Sequence, residues 1–184
     1  MTRATAATAA TLIFVDASLP DLATLRAGFP THAEVHLLPA GRDGLQTIVD
    51  TLFGRSGIES LHLLCHGKPG TLLLGGTTLD LHALPNYASE LLTISDALVE
   101  DGQWLIYGCE VAQGVEGRLF VDGLRLITGL RVAAASHKVG AEKLGGSWVL
   151  DDAPHVTDLH SLKIKTLAVP QWQGVLPTTP TDGT

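Results

Sequence analysis

No apolar run in the sequence approaches the roughly 20 residues that a membrane-crossing helix requires. The first ten residues lack the apolar centre of a secretion signal. Neither membrane insertion nor a conventional N-terminal export segment is therefore expected, and the chain as it stands reads as soluble. Positive charge is also short: 12 Lys and Arg stand against 19 Asp and Glu, for a formal net charge of -7. The acidic residues are scattered and no basic face emerges, which argues against a nucleic-acid partner. Cysteine is scarcer still. Two residues, Cys65 and Cys109, do not make a disulfide framework, so each is read singly. No internal repeat is apparent. What is present is a chain of 184 residues, enough for one domain with a full core.

Residues 1–11 are rich in Ala and Thr without periodicity and read as a loose leader. A fully apolar strand follows at 12–15, then a helix opened by Asp16 and Ser18, with Ser18 and Asp21 spaced as a capping box and a face of Leu19, Leu22, Leu25 and Phe29. Val35, Leu37 and Leu38 mark a second strand. Asp43 caps an amphipathic helix whose Leu45, Ile48, Val49, Leu52 and Phe53 recur at i, i+3, i+4, i+7 and i+8. This alternation predicts an α/β domain with a mainly parallel central sheet and helices on both faces. After a strand ending at His66, two β-rich runs around Gly75-Gly76 read as a hairpin, and a helix is expected over 86–100. Asp101-Gly102 then turns into the strand that ends at Cys109. A helix with Leu119, Phe120, Leu124 and Ile127 on its face ends at Gly129, and strands are expected at 130–134 and 148–150. Residues 159–169 suggest one more edge element, Trp172 and Val175 pack back, and 177–184 reads as a Pro/Thr linker after a single domain at 12–176.

Two stretches share one architecture. Leu61-His62-Leu63-Leu64-Cys65-His66-Gly67 and Trp104-Leu105-Ile106-Tyr107-Gly108-Cys109 are apolar runs, each closed by a reactive side chain beside a glycine. Strand ends are where α/β folds keep their chemistry. If the two strands are parallel neighbours, about 5 Å apart, His66 and Cys109 face one crevice as a Cys-His dyad. An imidazole lowers the thiol pKa and carries its proton, and the thiolate is the nucleophile. The amides of Gly67 and Cys109 can form an oxyanion hole. Cys65 reads as a small buried apolar residue. His62 lies within its strand and reads as a core histidine, whereas His137 ends a third strand and reads as an exposed loop residue or a substrate contact. Cys65, His66, Cys109 and His137 are zinc-compatible types without tight Cys-x-x-Cys spacing, so no metal and no cofactor is expected.

Phe14-Val15-Asp16, Gly41-Arg42-Asp43-Gly44, His66-Gly67-Lys68-Pro69-Gly70, Tyr107-Gly108-Cys109 with Ala112 and Gly114, Thr128-Gly129 and Gly145-Gly146-Ser147-Trp148 carry a specific resemblance. Over residues 12–150 the chain resembles a bacterial domain of unknown function found near the N-terminus of very large repeat-containing surface proteins. The order of strand, histidine, hairpin, helix, strand and cysteine also resembles the caspase-like cysteine peptidases, among them legumains, gingipains, separases and metacaspases. That resemblance implies a caspase-like three-layer sandwich with a small hairpin after the histidine strand. It implies a substrate laid along Ala135, Ser136 and His137, with Tyr107 and Asp16 shaping the pocket. Tyr107 stands where metacaspases carry an acidic residue and caspases a glutamine, so no strict specificity carries over. The resemblance further implies an exported or cell-surface host protein.

Three functions follow as expectations. The first is a cysteine endopeptidase with His66 and Cys109 as its dyad, acting on polypeptide, in cis or on a tethered partner. The second is a catalytically silent structural or interaction module of a large surface protein, and the third a metal-binding domain. The sequence leaves the oligomeric state open.

Overall fold

The apolar tetrad at 12–15 becomes the centre of a strand, Thr11–Asp16 (β1), in which every residue is buried. A short helix, Leu22–Ala27 (α1), leads to the strand Glu34–Leu38 (β2). The amphipathic run folds into Gly44–Leu52 (α2), its first turn capped as expected by Asp43, whose carboxylate accepts from the Gln46 amide at 3.0 Å, but Phe53, expected on the apolar face, lies past the helix end and is exposed. Ile58–Leu64 (β3) follows. The chain then forms three short strands, His66–Lys68 (β4), Thr71–Leu74 (β5) and Thr77–Asp80 (β6). A 3₁₀ turn runs into Ala88–Ala97 (α3), and Leu98–Tyr107 (β7), Gly114–Thr128 (α4) and Arg131–Ala134 (β8) complete the regular elements. The computed structural model describes residues 10–152 and 166–178.

Five strands form one parallel sheet in the order β2-β1-β3-β7-β8. Successive side chains on a strand point to opposite faces, and the sheet is apolar on both. Leu12, Phe14, Leu61, Leu63, Trp104, Ile106 and Val132 join one core cluster with residues of α2, α3 and α4. Ile13, Val15, Leu64, Leu105, Tyr107 and Ala133 join the other, beneath Leu25 of α1 and the irregular segments that carry Val139, Leu150, Val169 and Trp172. Alternation also sends the two thiols to different faces: Cys65 lies in the first cluster and Cys109 in the second. Helices thus cover both faces of a mainly parallel sheet. Among the described residues, no helix is long and apolar enough to cross a membrane.

Several elements differ from the sequence reading. Helix α1 is confined to Leu22–Ala27 and is capped by Asp21, not Ser18, whose hydroxyl has another partner. The helix expected over 86–100 stops at Ala97 because Leu98 already pairs with Ile58 in the sheet. Asp101-Gly102 is no turn before the strand. It lies inside β7, where Asp101 takes a positive φ of 66° and the register with β3 jumps, a bulge in a parallel ladder. Leu119 is 51% exposed on α4, and Val121 and Gly117 take the inner face instead. Residues 148–150 form no strand; only Asp152 makes an isolated bridge, to Ala134. Thr11, assigned to the leader, opens β1, while the rest of the proposed leader up to residue 9, residues 159–165 and the linker beyond 178 lie outside the described residues. Trp172 is buried and Val175 packs beside it, as expected.

Candidate active site

Strands β3 and β7 are parallel neighbours with Leu64 opposite Tyr107. His66 and Cys109 each lie two residues beyond that pair, so both emerge at the C-terminal end of the sheet. The approach of the two chain segments is close. A Cβ on Gly67 would stand 2.5 Å from Val111 Cγ2 and 3.1 Å from both the Cys109 carbonyl oxygen and the Gly108 carbonyl carbon. Glycine after the histidine is what lets the strand ends meet. His66 does not close a loop, however. It begins β4 and pairs with Leu73, so the expected hairpin is a three-stranded sheet that carries the histidine on its first strand.

The imidazole is buried and held from behind. Its Nε2 lies 2.7 Å from Ser18 Oγ. Ser18 Oγ donates to Asp16 Oδ1 at 2.6 Å, and the Ser18 amide donates to the same oxygen at 2.9 Å. The other carboxylate oxygen of Asp16 accepts from the Gly75 amide at 2.8 Å. A carboxylate only accepts, and a serine hydroxyl has one proton. With that proton given to Asp16, the Ser18–His66 contact draws its proton from Nε2; turned to the ring instead, the hydroxyl donates to Nε2 and Nδ1 carries the proton that the Pro177 carbonyl accepts. Asp16 ends β1, Ser18 follows it and His66 follows β3, on the two sides of the point where the strand order reverses. Crevices at such points are the usual ligand sites of open α/β sheets.

Nδ1 of His66 lies 3.3 Å from the carbonyl oxygen of Pro177. The thiol of Cys109 donates to the carbonyl oxygen of Leu176 at 2.8 Å and accepts from the Val139 amide at 3.2 Å. Histidine and cysteine therefore flank consecutive carbonyls of one dipeptide. A cleft of about 310 Å³ opens beside the sulfur, lined by Cys109, Lys138, Leu144, Leu176 and Pro177. Burial pushes the Cys109 thiol above its ordinary pKa, the Val139 amide pulls it back, the Glu110 charge adds to the rise and Lys138 opposes it. Glu110, directly after the nucleophile candidate, adopts a left-handed φ of 61°. That conformation is uncommon outside glycine and turns the chain sharply from the strand end towards α4.

Other expected site residues are placed differently. Asp16 is buried behind Ser18 and touches no open surface, so its position suits orienting His66 and not contacting substrate. Tyr107 does not line a pocket. It is fully buried, stacked on His62 at a centroid distance of 6.0 Å, and its hydroxyl accepts from the Leu167 amide at 2.6 Å. Burial drives the phenol pKa up. The backbone of 135–137 was expected to be open for strand addition, but it is already paired. Ala112 and Glu110 donate to the carbonyls of Ala135 and His137, both at 2.9 Å, and the Ser136 amide donates to Asp151 at 2.8 Å. His137 lies beside Asp151, with its Nδ1 2.9 Å from the Lys138 carbonyl oxygen. Strand pairing occurs a few residues later instead, between Gly140 and Val175.

Ser18 is the residue that the sequence reading misplaced. Its spacing to Asp21 signals a helix cap, and only the fold shows it between Asp16 and His66. Cys65 is buried on the far face, its pKa driven well up by burial, with Asp16 and Cys109 adding to the rise. Among the described residues, no group of three or more His, Cys, Asp or Glu side chains is arranged to hold a metal ion.

Fold and site together define a parallel α/β domain that presents a histidine and a cysteine from adjacent strand ends. A family model matches residues 12–176, and the chain belongs to that family, described as a domain of unknown function, DUF4347. No curated protein matches it.

Proposed function

We propose that the domain is a cysteine endopeptidase of the caspase-like kind, with Cys109 as nucleophile and His66 as general acid and base. The observation that carries this reading is the placement of His66 Nδ1 and Cys109 Sγ against consecutive carbonyls of one extended peptide segment. In the first step the thiol proton passes to Nδ1, while Ser18 and Asp16 hold the ring by Nε2. The thiolate adds to a peptide carbonyl carbon, and the oxygen takes up the negative charge near the amides of Gly67 and Cys109. Collapse of the adduct breaks the C–N bond, the Nδ1 proton goes to the departing amine, and a thioester remains on Cys109. Water, deprotonated by His66, then releases the acid and restores the thiol.

The substrate class is polypeptide. Since Tyr107 is committed to the core, selectivity falls to the cleft beside Lys138 and Leu144.

A second reading, a catalytically silent binding or structural module, is favoured by one observation: Cys109 is fully buried and its thiol bonds to backbone groups. The two readings separate in a pool of random peptides incubated with the full chain carrying Leu176→Lys, which draws Leu176 away from the sulfur, with new termini identified by mass. The peptidase reading expects cuts that vanish in Cys109→Ala and persist in Cys65→Ala. Cuts that survive Cys109→Ala would remove the proposed nucleophile.

A further inference from the structure

The backbone edge beside the cleft is covered by the protein's own chain. Gly140 pairs antiparallel with Val175; the Leu176 amide donates to the Val139 carbonyl at 2.8 Å, and the Ala141 amide donates to the Gly174 carbonyl at 2.8 Å. This is strand addition, the way extended peptides bind to an exposed backbone edge. Gly140 makes the approach possible. A Cβ there would stand 2.4 Å from the Gly174 carbonyl oxygen and 2.7 Å from Val175 Cα. Leu176 is 1% exposed, and Trp172, just upstream, is buried against the same sheet face. From there the segment carries its carbonyls to Cys109 and His66.

We infer that residues 174–178 form an intramolecular inhibitory strand, which fills the peptide-binding edge at Val139–Ala141 and must leave before Cys109 can act. The inference rests on the peptidase reading of the site and adds its regulation.

Three features mark the segment as an inhibitor and not a substrate held ready for cleavage. The sulfur is engaged twice, giving its proton to the Leu176 carbonyl and accepting from the Val139 amide. The Leu176 carbonyl presents its oxygen to a thiol proton, an arrangement that favours the neutral thiol over the thiolate. The bond after Leu176 leads into Pro177, whose nitrogen carries no hydrogen and whose ring fixes the backbone. On the histidine side, Nδ1 is engaged by the Pro177 carbonyl oxygen at 3.3 Å, at the nitrogen that has to receive the Cys109 proton. Release of 174–178 alone, with Trp172 still seated, opens the sulfur to solvent and leaves the Val139 amide and Lys138 to favour the thiolate. The tether at Trp172 keeps the strand at high local concentration, so a competing peptide must bind well or the strand must be drawn away from outside.

The test uses the full chain and the rate at which iodoacetamide labels each cysteine, read by peptide mass. In the wild type, Cys109 labels slowly, as Cys65 does. Leu176→Lys places a charge at a buried position that cannot hold it unpaired. It is expected to raise the Cys109 rate by at least about tenfold through local opening, leaving the Cys65 rate unchanged. A rise at Cys65 as well would report unfolding. The comparison then passes to Gly174→Val, whose Cβ would enter the Trp172 ring at 2.6 Å, and to hydrogen exchange of the Leu176 amide in the wild type. Rapid wild-type labelling of Cys109, a Leu176 amide that exchanges as fast as an open chain, or unchanged labelling after demonstrated release would each overturn the inference. So would self-cleavage between Leu176 and Pro177. Peptide cleavage that is equal in wild type and released variants would overturn the inhibitory strand while sparing the peptidase reading. A released, readily labelled Cys109 that cuts no peptide would do the reverse.

Discussion

Ser18 Oγ lies 2.7 Å from Nε2 of His66 while its own proton is directed to Asp16 at 2.6 Å. The serine thus connects a buried carboxylate to the imidazole without itself facing the cleft chemistry, and once the Pro177 carbonyl leaves Nδ1 it favours the tautomer with the proton on Nε2 and Nδ1 free to take one. Ser18→Ala removes that selection. Peptide cleavage by the released enzyme is expected to fall by at least about tenfold, a part of the roughly 10²–10⁴-fold that a general base supplies. Ser18→Thr keeps the hydroxyl and should restore most of the rate. A purely structural role would instead make the threonine, with its extra methyl, as damaging as the alanine. Nitrogen NMR of His66 reads the tautomer directly, with Nε2 protonated and Nδ1 bare once Leu176→Lys has displaced the strand.

Gly67→Ala tests the contact between the two strand ends. The new methyl would collide with Val111 and with the backbone at Cys109. Because backbone and a β-branched side chain form the wall, relief has to come from separating β4 from the cysteine turn. Overpacking of this kind typically costs about 1–3 kcal/mol, and thermal unfolding should show a loss of that order. An unchanged melting temperature with full activity would mean that the strand ends do not need to touch.

The pH dependence of stability has a definite sign. Burial raises the thiol pKa of Cys65 and of Cys109 and the phenol pKa of Tyr107. The folded chain therefore holds these protons more tightly than the unfolded chain. Stability is complete below the unfolded thiol value, about 8.5, and is lost as pH rises from there towards the raised folded values. Melting temperature should stay level between about pH 6 and 8 and decline above it. Cys65→Ala should lower it at neutral pH by creating a small cavity, yet flatten the alkaline decline. A melting temperature indifferent to pH between about 8 and 10 would contradict the cited directions.

Much of the sheet could be read in the sequence because its strands are uninterrupted apolar runs, a pattern that parallel strands buried on both faces require. Asp43 as a cap and Gly129 as a stop were also legible, since caps depend on a few neighbouring residues; Gly129 takes the expected left-handed conformation at the end of α4. The emergence of His66 and Cys109 at the same end of the sheet followed from two similar stretches whose strands prove to be neighbours. The role of Ser18 was illegible for a physical reason. Its local spacing satisfies a helix cap, and the competing partner lies 48 positions away on another strand. Tyr107 misled for the opposite reason, because a position aligned with a pocket residue says nothing of a hydroxyl captured by the Leu167 amide. The closed cleft could not be read from residues 174–178, where a Gly-Val-Leu-Pro-Thr stretch carries no period. Only Gly140, whose missing side chain admits that strand, gives a local reason for the fit, and glycine in a loop has many causes.

The central claim is that His66 activates Cys109. Its most direct measurement is the labelling rate of a peptide-directed thiol probe on the full chain carrying Leu176→Lys, compared with the same chain also carrying His66→Ala, with Cys109→Ala as the blank. The account predicts that the probe attaches to Cys109, not Cys65, and that loss of His66 slows it by about 10²–10⁴-fold, the usual contribution of a general base. Labelling of Cys109 at the same rate with and without His66 would contradict it.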